Sequence, residues 1–297
     1  MRRLLKWVGR IVLALVVLAA LAFAVLSYRA SSKMSRHYSA EVQAIPIPTD
    51  AASLVEGKRL ATVYCSHCHK ADFAGGTMID GPLATLDALN LTPGHGSATA
   101  GYTDTDWIRT LRHGIKKDGR SLMIMPSEAF ARLSDEDLGA IVAYLKSAPA
   151  VDRELGKREL HPLGKTLVGL GVFDKNFPAA TIVHDAPRPA PPVKAVSVAW
   201  GSYLVNSFGC YHCHADDFGG AASPNPKDPY APNLTQGGAI KAFTEETFPA
   251  MIRTRSGPGM PWSSLQAMTD DELRSIRLYL ASLPAVDRHT PPAKSKA

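Results

Sequence analysis

The longest uninterrupted apolar stretch of the chain runs from Ile11 to Leu26, sixteen residues without a polar side chain. As a helix it is about 24 Å long, and Trp7 and Tyr28 extend it towards the ~30 Å hydrocarbon core of a bilayer. Four basic residues precede it, so the positive-inside rule predicts a cytoplasmic N-terminus and an exported remainder. The alternative is a cleaved signal peptide, because Ala20–Ala22 forms an A-x-A site. Both interpretations export the rest of the chain.

Shorter amphipathic patterns after residue 50 predict helices. Leu60, Val63 and Tyr64 are spaced as one helical face within residues 54–64. The segment from 70 to 94 is rich in Gly and Pro, and we expect a long loop there that wraps a cofactor. Capping signals open three further helices, at Thr103 with Asp106, Ser134 with Asp137, and Thr269 with Glu272. These patterns predict an all-α fold.

The second half of the chain repeats the order of the first. The segment Pro149–Arg153 recurs as Pro284–Arg288, and Asn90–Thr92 recurs as Asn233–Thr235, which indicates an internal duplication. The apolar stretch Leu163–Phe173 lies between the copies, and we expect this linker to pack along both domains. We therefore divide the chain into an N-terminal membrane anchor (1–30), a tether (31–50), a first domain (51–153), a linker (154–195), a second domain (196–290) and a tail (291–297).

The net charge of +6 reflects the N-terminus alone. Seven of the 33 Lys and Arg residues precede the first acid, Glu41, so the rest of the chain carries 26 basic against 27 acidic residues. The high isoelectric point therefore gives no reason to expect a nucleic-acid partner.

Cysteine occurs only four times, within C-x-x-C-H at Cys65–His69 and again at Cys210–His214. This is the attachment pattern of c-type haem, in which two thiols bond the porphyrin and the adjacent His ligates the iron. A thioredoxin-like pair belongs near a βαβ pattern, which the sequence lacks, and a shared zinc site would join cysteine pairs 145 residues apart. We predict two covalently attached haem c groups, bound through Cys65, Cys68, Cys210 and Cys213, with His69 and His214 on the iron.

A Met-Pro pair precedes the final helix of each domain. Its methionine is a candidate ligand on the face of the iron opposite the histidine. Met125 and Met260 are the predicted ligands, because a thioether favours ferrous iron and raises its potential. Met123 remains an alternative to Met125, two residues away.

The other histidines and methionines are predicted not to bind iron. We expect Pro82 and Pro232 to place a backbone carbonyl against the ring N–H of His69 and His214. Packing is expected for Met78 and Met268. The histidines expected at the surface or pointing away from the iron are His37, His67, His95, His113, His161, His184, His212 and His289.

These features resemble a tandem of class I cytochrome c domains, and more narrowly the cytochrome c subunits of bacterial membrane-bound alcohol, aldehyde and gluconate dehydrogenases. The residues that carry the resemblance are Asn90–Pro93, Leu111–Gly114, Asp118–Arg120, Met125–Pro126 and Leu133–Leu145, and in the second half Ala231–Thr235, Ile252–Thr254, Met260–Trp262 and Thr269–Leu280. The resemblance implies His/Met-ligated haems and passage of electrons from a periplasmic dehydrogenase towards quinone or an oxidase.

The predicted function is a membrane-anchored dihaem cytochrome c that relays single electrons from a periplasmic donor to a respiratory acceptor, at the bacterial inner membrane with its haem domains in the periplasm. It is an electron carrier and not an enzyme, since the sequence shows no Ser/His/Asp set or phosphate-binding loop. One alternative is a cytochrome subunit docked to a separate dehydrogenase. A second alternative is a dihaem peroxidase-like enzyme, which the two Met-Pro pairs disfavour because such an enzyme needs an open iron face.

Overall fold

The computed structural model of the chain describes residues 2–156, 158–222 and 230–288, so His289 and the predicted tail (291–297) lie outside the described residues. Helices dominate the described part, as predicted. In chain order they are α1 (Arg2–Ser35), α2 (Ala51–Tyr64), α3 (Ser66–His69), α4 (Asp104–His113), α5 (Ser127–Phe130), α6 (Asp135–Ser147), α7 (Pro162–Leu170), α8 (Pro178–Thr181), α9 (Val198–Phe208), α10 (Tyr211–His214), α11 (Thr247–Thr254), α12 (Trp262–Gln266) and α13 (Asp270–Ser282).

The N-terminal apolar stretch forms the single long helix α1, which continues to Ser35. Its length and apolar composition suffice to cross a membrane. The side chains from Arg2 to Val25 are exposed, and Ala30 is fully buried against the rest of the chain. The helix therefore has a free N-terminal part and a packed C-terminal end.

Each half of the chain builds its own three-helix core. In the first domain α2, α4 and α6 enclose a cluster that includes Leu60, Trp107, Ile108, Leu138 and Ile141. In the second domain α9, α11 and α13 enclose the corresponding cluster, with Trp200, Leu204, Ile252, Leu273 and Ile276.

A glycine in the first helix of each domain allows that helix to cross the last helix closely. A Cβ atom at Gly57 would lie 2.1 Å from the carbonyl oxygen of Ala140, and one at Gly201 would lie 1.9 Å from that of Ser275. Real Cβ atoms do not approach oxygen so closely, so only glycine permits these crossings. The same close crossing in both halves agrees with the predicted internal duplication.

The helix ends follow the predicted capping signals. Thr103 and Thr269 each form a complete capping box, and Ser134 accepts a hydrogen bond from the backbone N–H of Asp137. Gly114 ends α4 in the left-handed conformation, with φ 65°. Local side-chain chemistry therefore sets these ends.

The prediction of a long loop between residues 70 and 94 is wrong in part, because a β-hairpin forms within this segment. Strands β1 (Gly76–Asp80) and β2 (Ala84–Ala88) pair antiparallel, and β3 (Glu159–Leu160) adds to the outer edge of β2. The third strand comes from the linker, so the hairpin finds a partner that lies more than 70 residues away in sequence. A local pattern does not reveal such a pairing.

The predicted tether and the predicted linker both pack on the first domain. We expected a free tether and a linker that contacts both domains. Within the predicted tether, Ile45 is buried in the first core and the Tyr38 N–H donates to the Gly119 carbonyl. Helix α7 of the linker packs on α1 and on the first-domain sheet. It approaches them closely because Gly164 and Gly169 lie against the carbonyls of Leu83 and Leu26. The linker thus joins α1 to the first domain.

Candidate functional site

Each C-x-x-C-H segment forms one helical turn that follows the first helix of its domain. In the first domain, Cys65 is buried and Cys68 half-buried; in the second, Cys210 is half-buried and Cys213 exposed. Burial raises the pKa of the Cys65 and Cys210 thiols to about 12. The helical turn brings the two cysteines and the histidine of each motif to one place in the fold.

The two motif histidines are oriented by backbone carbonyls. His69 Nδ1 donates to the Leu89 carbonyl and His214 Nδ1 to the Pro232 carbonyl, both at 2.8 Å. The prediction that the Pro232 carbonyl orients His214 is confirmed. The prediction that the Pro82 carbonyl orients His69 is wrong, because the chain after the β-hairpin brings the Leu89 carbonyl to His69. With the proton on Nδ1, the Nε2 lone pair of each ring is available to a metal.

Burial lowers the pKa of both motif histidines. His214 Nε2 is buried and has no hydrogen-bond partner among the described residues. A buried ring nitrogen without a hydrogen-bond donor needs another acceptor for its lone pair, to compensate for the lost water. An iron atom is such an acceptor, so this ring fits the proposed cofactor.

The chain leaves both motifs through matching strained turns. Lys70 and Ala215 follow the motif histidines with φ of 65° and 66°, and Phe73 and Phe218 both have φ of 56°. Left-handed conformations cost free energy in residues with a Cβ, so the surroundings must enforce them. One such restraint is an arginine in each domain: Arg153 binds Asp72 and the Gly75 carbonyl, while Arg288 binds Asp217 and the Gly220 carbonyl.

The Met-Pro pairs have nearly identical backbone geometry. Pro126 (φ −80°, ψ 57°) and Pro261 (φ −77°, ψ 65°) each occupy the centre of an inverse γ-turn. The turns are closed by hydrogen bonds from the next residue to the Met125 and Met260 carbonyls, at 2.8 and 2.9 Å. The preceding residues, Ile124 and Gly259, both have positive φ, 75° and 94°.

The packing of the methionines distinguishes Met125 from Met123. Met125 packs on the first-domain core that contains Cys65, and Met260 packs on the second-domain core, as does Cys210. Met123 packs instead on a separate cluster formed by α1, α7 and β2. Ile124 between them is held in its strained conformation by a 2.9 Å hydrogen bond to the Asn176 carbonyl. Met268 is buried in the second core, as predicted.

A cavity of about 240 Å³ opens beside the first domain. Its apolar wall includes Leu86, Leu122 and Met123, and its cations are Lys116, Arg120 and Arg158. Arg120 binds Asp118, whereas the side chains of Lys116 and Arg158 have no hydrogen-bond or ion-pair partner within the described parts of the chain. The cavity lies at the cluster of α1, α7 and β2 that also holds Met123. Burial, and to a smaller extent the positive charge of Arg158, lowers the pKa of His69, so Arg158 acts electrostatically on the first motif.

One histidine pair departs from the expectation that scattered histidines lie at the surface. His113 is buried at the end of α4, and its Nδ1 lies 3.1 Å from Nδ1 of His184. Burial lowers the pKa of His113 to about 4, and the neighbouring His184 and Arg112 contribute. His113 is therefore neutral at pH 7, and its contact with His184 attaches the linker to the first domain.

The two domains meet through equivalent surfaces. Arg59 on α2 binds Glu272 at the start of α13, with N–O distances of 2.7 and 2.9 Å. At the equivalent place Tyr203 on α9 donates to Asp137 at the start of α6, at 2.5 Å. Each contact joins the helix that enters one motif to the last helix of the other domain, as across a two-fold axis.

This interface brings the two attachment motifs close together. Tyr64, directly before Cys65, hydrogen-bonds Ser207 at 2.9 Å, and its ring centroid lies 6.0 Å from that of Phe208. His212, inside the second motif, contacts Glu128 of the first domain at 2.8 Å. The expectation that His212 points away from the iron agrees with this contact. Aromatic and hydrogen-bonded groups thus bridge the motifs.

Comparison with known proteins agrees with this geometry. The cytochrome c family profile matches residues 54–149 and 198–284, one match in each domain. The chain is similar to the alcohol dehydrogenase (quinone) cytochrome c subunit of Gluconobacter oxydans (29% identical, covering 80% of this chain and 56% of the relative), the gluconate 2-dehydrogenase cytochrome c subunit of Pantoea cypripedii (28%; 75% and 57%) and the fructose dehydrogenase cytochrome subunit of Gluconobacter japonicus (27%; 81% and 55%).

The chain spans little more than half the length of these relatives. The matches nevertheless confirm the resemblance to tandem cytochrome c domains and to dehydrogenase cytochrome subunits, which are electron carriers and not catalytic subunits. The protein belongs to the cytochrome c family, whose members carry covalently bound haem c.

Proposed function

We propose that this protein is a dihaem electron relay anchored to the bacterial inner membrane by α1, with both domains in the periplasm. The observation that carries the proposal is the duplicated set of groups: two thiols, a carbonyl-oriented imidazole and a Met-Pro turn in each domain. When bound, haem c supplies one-electron chemistry at an iron whose ligands stay the same in both oxidation states.

The residues of the chain hold and insulate that cofactor. Cys65 and Cys68, and Cys210 and Cys213, would bond the two porphyrins. His69 with Met125, and His214 with Met260, would ligate the irons, and the Leu89 and Pro232 carbonyls keep the imidazoles in the required tautomer. The interface at Tyr64 and Ser207 gives electrons a short protein-filled route between domains.

The first test is the haem content and ligand state of the purified full chain. We expect two haems per polypeptide by pyridine haemochrome assay, and no spectral change when carbon monoxide is added to the dithionite-reduced protein. Firm Met ligation leaves no open iron face, which explains the second expectation. A single haem would contradict the dihaem assignment. Stoichiometric carbon monoxide binding at one haem would favour the peroxidase-like enzyme.

Arg158 acts electrostatically on His69 and should therefore raise the potential of the first haem, because positive charge favours the less positive, reduced iron. Replacing Arg158 by Gln should lower one of the two midpoint potentials by roughly tens of millivolts, the order expected for a unit charge at a partly exposed site. Spectroelectrochemical titration measures both potentials. Arg274→Gln, which removes an exposed charge from α13, is the matched control and should leave them unchanged. Equal shifts in both variants would exclude a specific role of Arg158.

A second candidate function is that of a cytochrome subunit within a periplasmic dehydrogenase complex, and the similarity to three dehydrogenase cytochrome subunits favours it. In that case the donor is a bound catalytic polypeptide, and the acceptor is quinone or an oxidase. Purification of the tagged full chain from its native membranes distinguishes the two functions, since a subunit brings down a dehydrogenase in equimolar amount and a free relay does not.

A further inference from the structure

Helix α7 is fixed against the C-terminal end of α1. A Cβ at Gly169 would lie 2.2 Å from the Leu26 carbonyl oxygen, so the two helices touch backbone to backbone. Lys33 Nζ donates to the Val168 carbonyl at 3.1 Å and to Asp174 at 2.6 Å. The contact at Leu26 falls where the apolar stretch of α1 ends.

The side of α7 that faces away from α1 is apolar and exposed. Leu163 and Leu170 are seven residues apart and therefore lie on one side of the helix, with 51% and 58% of their surface accessible. Val172, directly after the helix, is 60% exposed. Gly164 and Val168, on the opposite side, are buried. An apolar edge of this kind on a packed domain usually marks a binding surface.

The exposed apolar surface of α1 runs up to the contact between Leu26 and α7. Phe23 and Val25 are 44% and 58% exposed on the turn before the contact at Leu26. The 22 residues from Trp7 to Tyr28 give a helix of about 33 Å, which spans a ~30 Å hydrocarbon core and places Leu26 near its outer boundary. Arg29 and Lys175, both exposed, follow at the level expected for phosphate headgroups.

We propose that α7 is a second membrane contact, whose edge of Leu163, Leu170 and Val172 inserts into the outer interface of the bilayer that α1 spans. The inference rests on the membrane anchoring proposed above. Lipid is the favoured occupant because α7 contacts α1 at Leu26, at the depth where the spanning helix leaves the hydrocarbon.

The proposed contact orients the first domain. Val168 on the buried side of α7 shares a cluster with Leu86 and Phe177, and both of these residues line the 240 Å³ cavity. Residues of the predicted tether also pack on the first domain, which leaves little freedom between α1 and this domain. The first domain is therefore held against the membrane.

The test is photolabelling of the haem-loaded full chain in nanodiscs of phosphatidylethanolamine and phosphatidylglycerol. The discs contain a phospholipid with a diazirine near the glycerol end of one acyl chain, and mass spectrometry locates the label. We expect label on residues 162–172 as well as on α1. Val183 and Val193, which are 69% and 81% exposed elsewhere on the linker, should remain unlabelled.

A triple variant, Leu163→Ser, Leu170→Ser and Val172→Ser, should reduce labelling of 162–172 several-fold while α1 stays labelled. The matched variant Val183→Ser with Val193→Ser should label as the wild type does. Label confined to α1 in the wild type would overturn the α7 contact and leave the anchor intact. Absence of label from α1 as well would overturn both the membrane anchoring and the α7 contact.

Discussion

Replacing Met125 with alanine is expected to open one of the two irons and to make the reduced protein bind one carbon monoxide per chain. The Met125 side chain packs on the core that contains Cys65, and its loss removes the thioether from that side of the first haem site. The affected potential should fall by tenths of a volt, within the ~0.8 V range that axial ligands span. Visible spectroscopy with carbon monoxide and a redox titration measure the two effects.

Met123→Ala is the matched control for this prediction. Met123 is two residues away but packs on the cluster of α1, α7 and β2, so its removal should leave the spectrum and both potentials near their original values. Met260→Ala should open the second iron, and the double variant with Met125→Ala should bind two carbon monoxide molecules. If Met123→Ala opened an iron and Met125→Ala did not, the ligand assignment in the first domain would be wrong.

Replacing Gly201 with alanine is expected to destabilise the second domain by about 1–3 kcal/mol, and by more if α9 and α13 cannot separate. The added Cβ would lie 1.9 Å from the Ser275 carbonyl oxygen, a backbone atom that cannot rotate away. The two helices must therefore move apart and lose contacts along the core. Urea unfolding of the haem-loaded protein, followed by circular dichroism and by haem absorbance, should show a lower midpoint for one domain.

Two further glycines serve as comparisons. Gly57→Ala should produce the equivalent loss in the first domain, because its Cβ would lie 2.1 Å from the Ala140 carbonyl oxygen. Gly81→Ala, where no atom lies within 4 Å of the new Cβ, should change stability by less than about 0.5 kcal/mol. Similar midpoints for Gly201→Ala and Gly81→Ala would show that the helix crossing is not tight.

Much of the candidate site could be predicted from sequence because its signals are short. C-x-x-C-H, Met-Pro and the caps at Thr103 and Thr269 each act over five residues or fewer, so their chemistry is visible in the local sequence. The duplication was visible for the same reason, since Pro149–Arg153 and Pro284–Arg288 repeat residue by residue. The haem count and the iron ligands remain predictions, which the haemochrome, carbon monoxide and redox experiments test.

The rest depended on which distant segments meet. Leu89, and not Pro82, reaches His69 because a hairpin forms in the segment predicted to be a loop, and that hairpin is extended by β3 of the linker. His113 is buried because the linker brings His184 to it. No local pattern encodes these contacts, since each depends on how separate segments pack together.

The sequence by itself determined which chemical groups the chain carries: two thiol pairs, each followed by an imidazole, two Met-Pro pairs and one apolar N-terminal stretch. Only the tertiary structure decided how these parts face one another. It separated Met123 from Met125 by placing them on different clusters, joined the two motifs through Tyr64 and Ser207, and fixed α7 on α1. The physical reason is range: covalent spacing sets the order of groups along a chain, whereas packing and close backbone contacts set their neighbours in space.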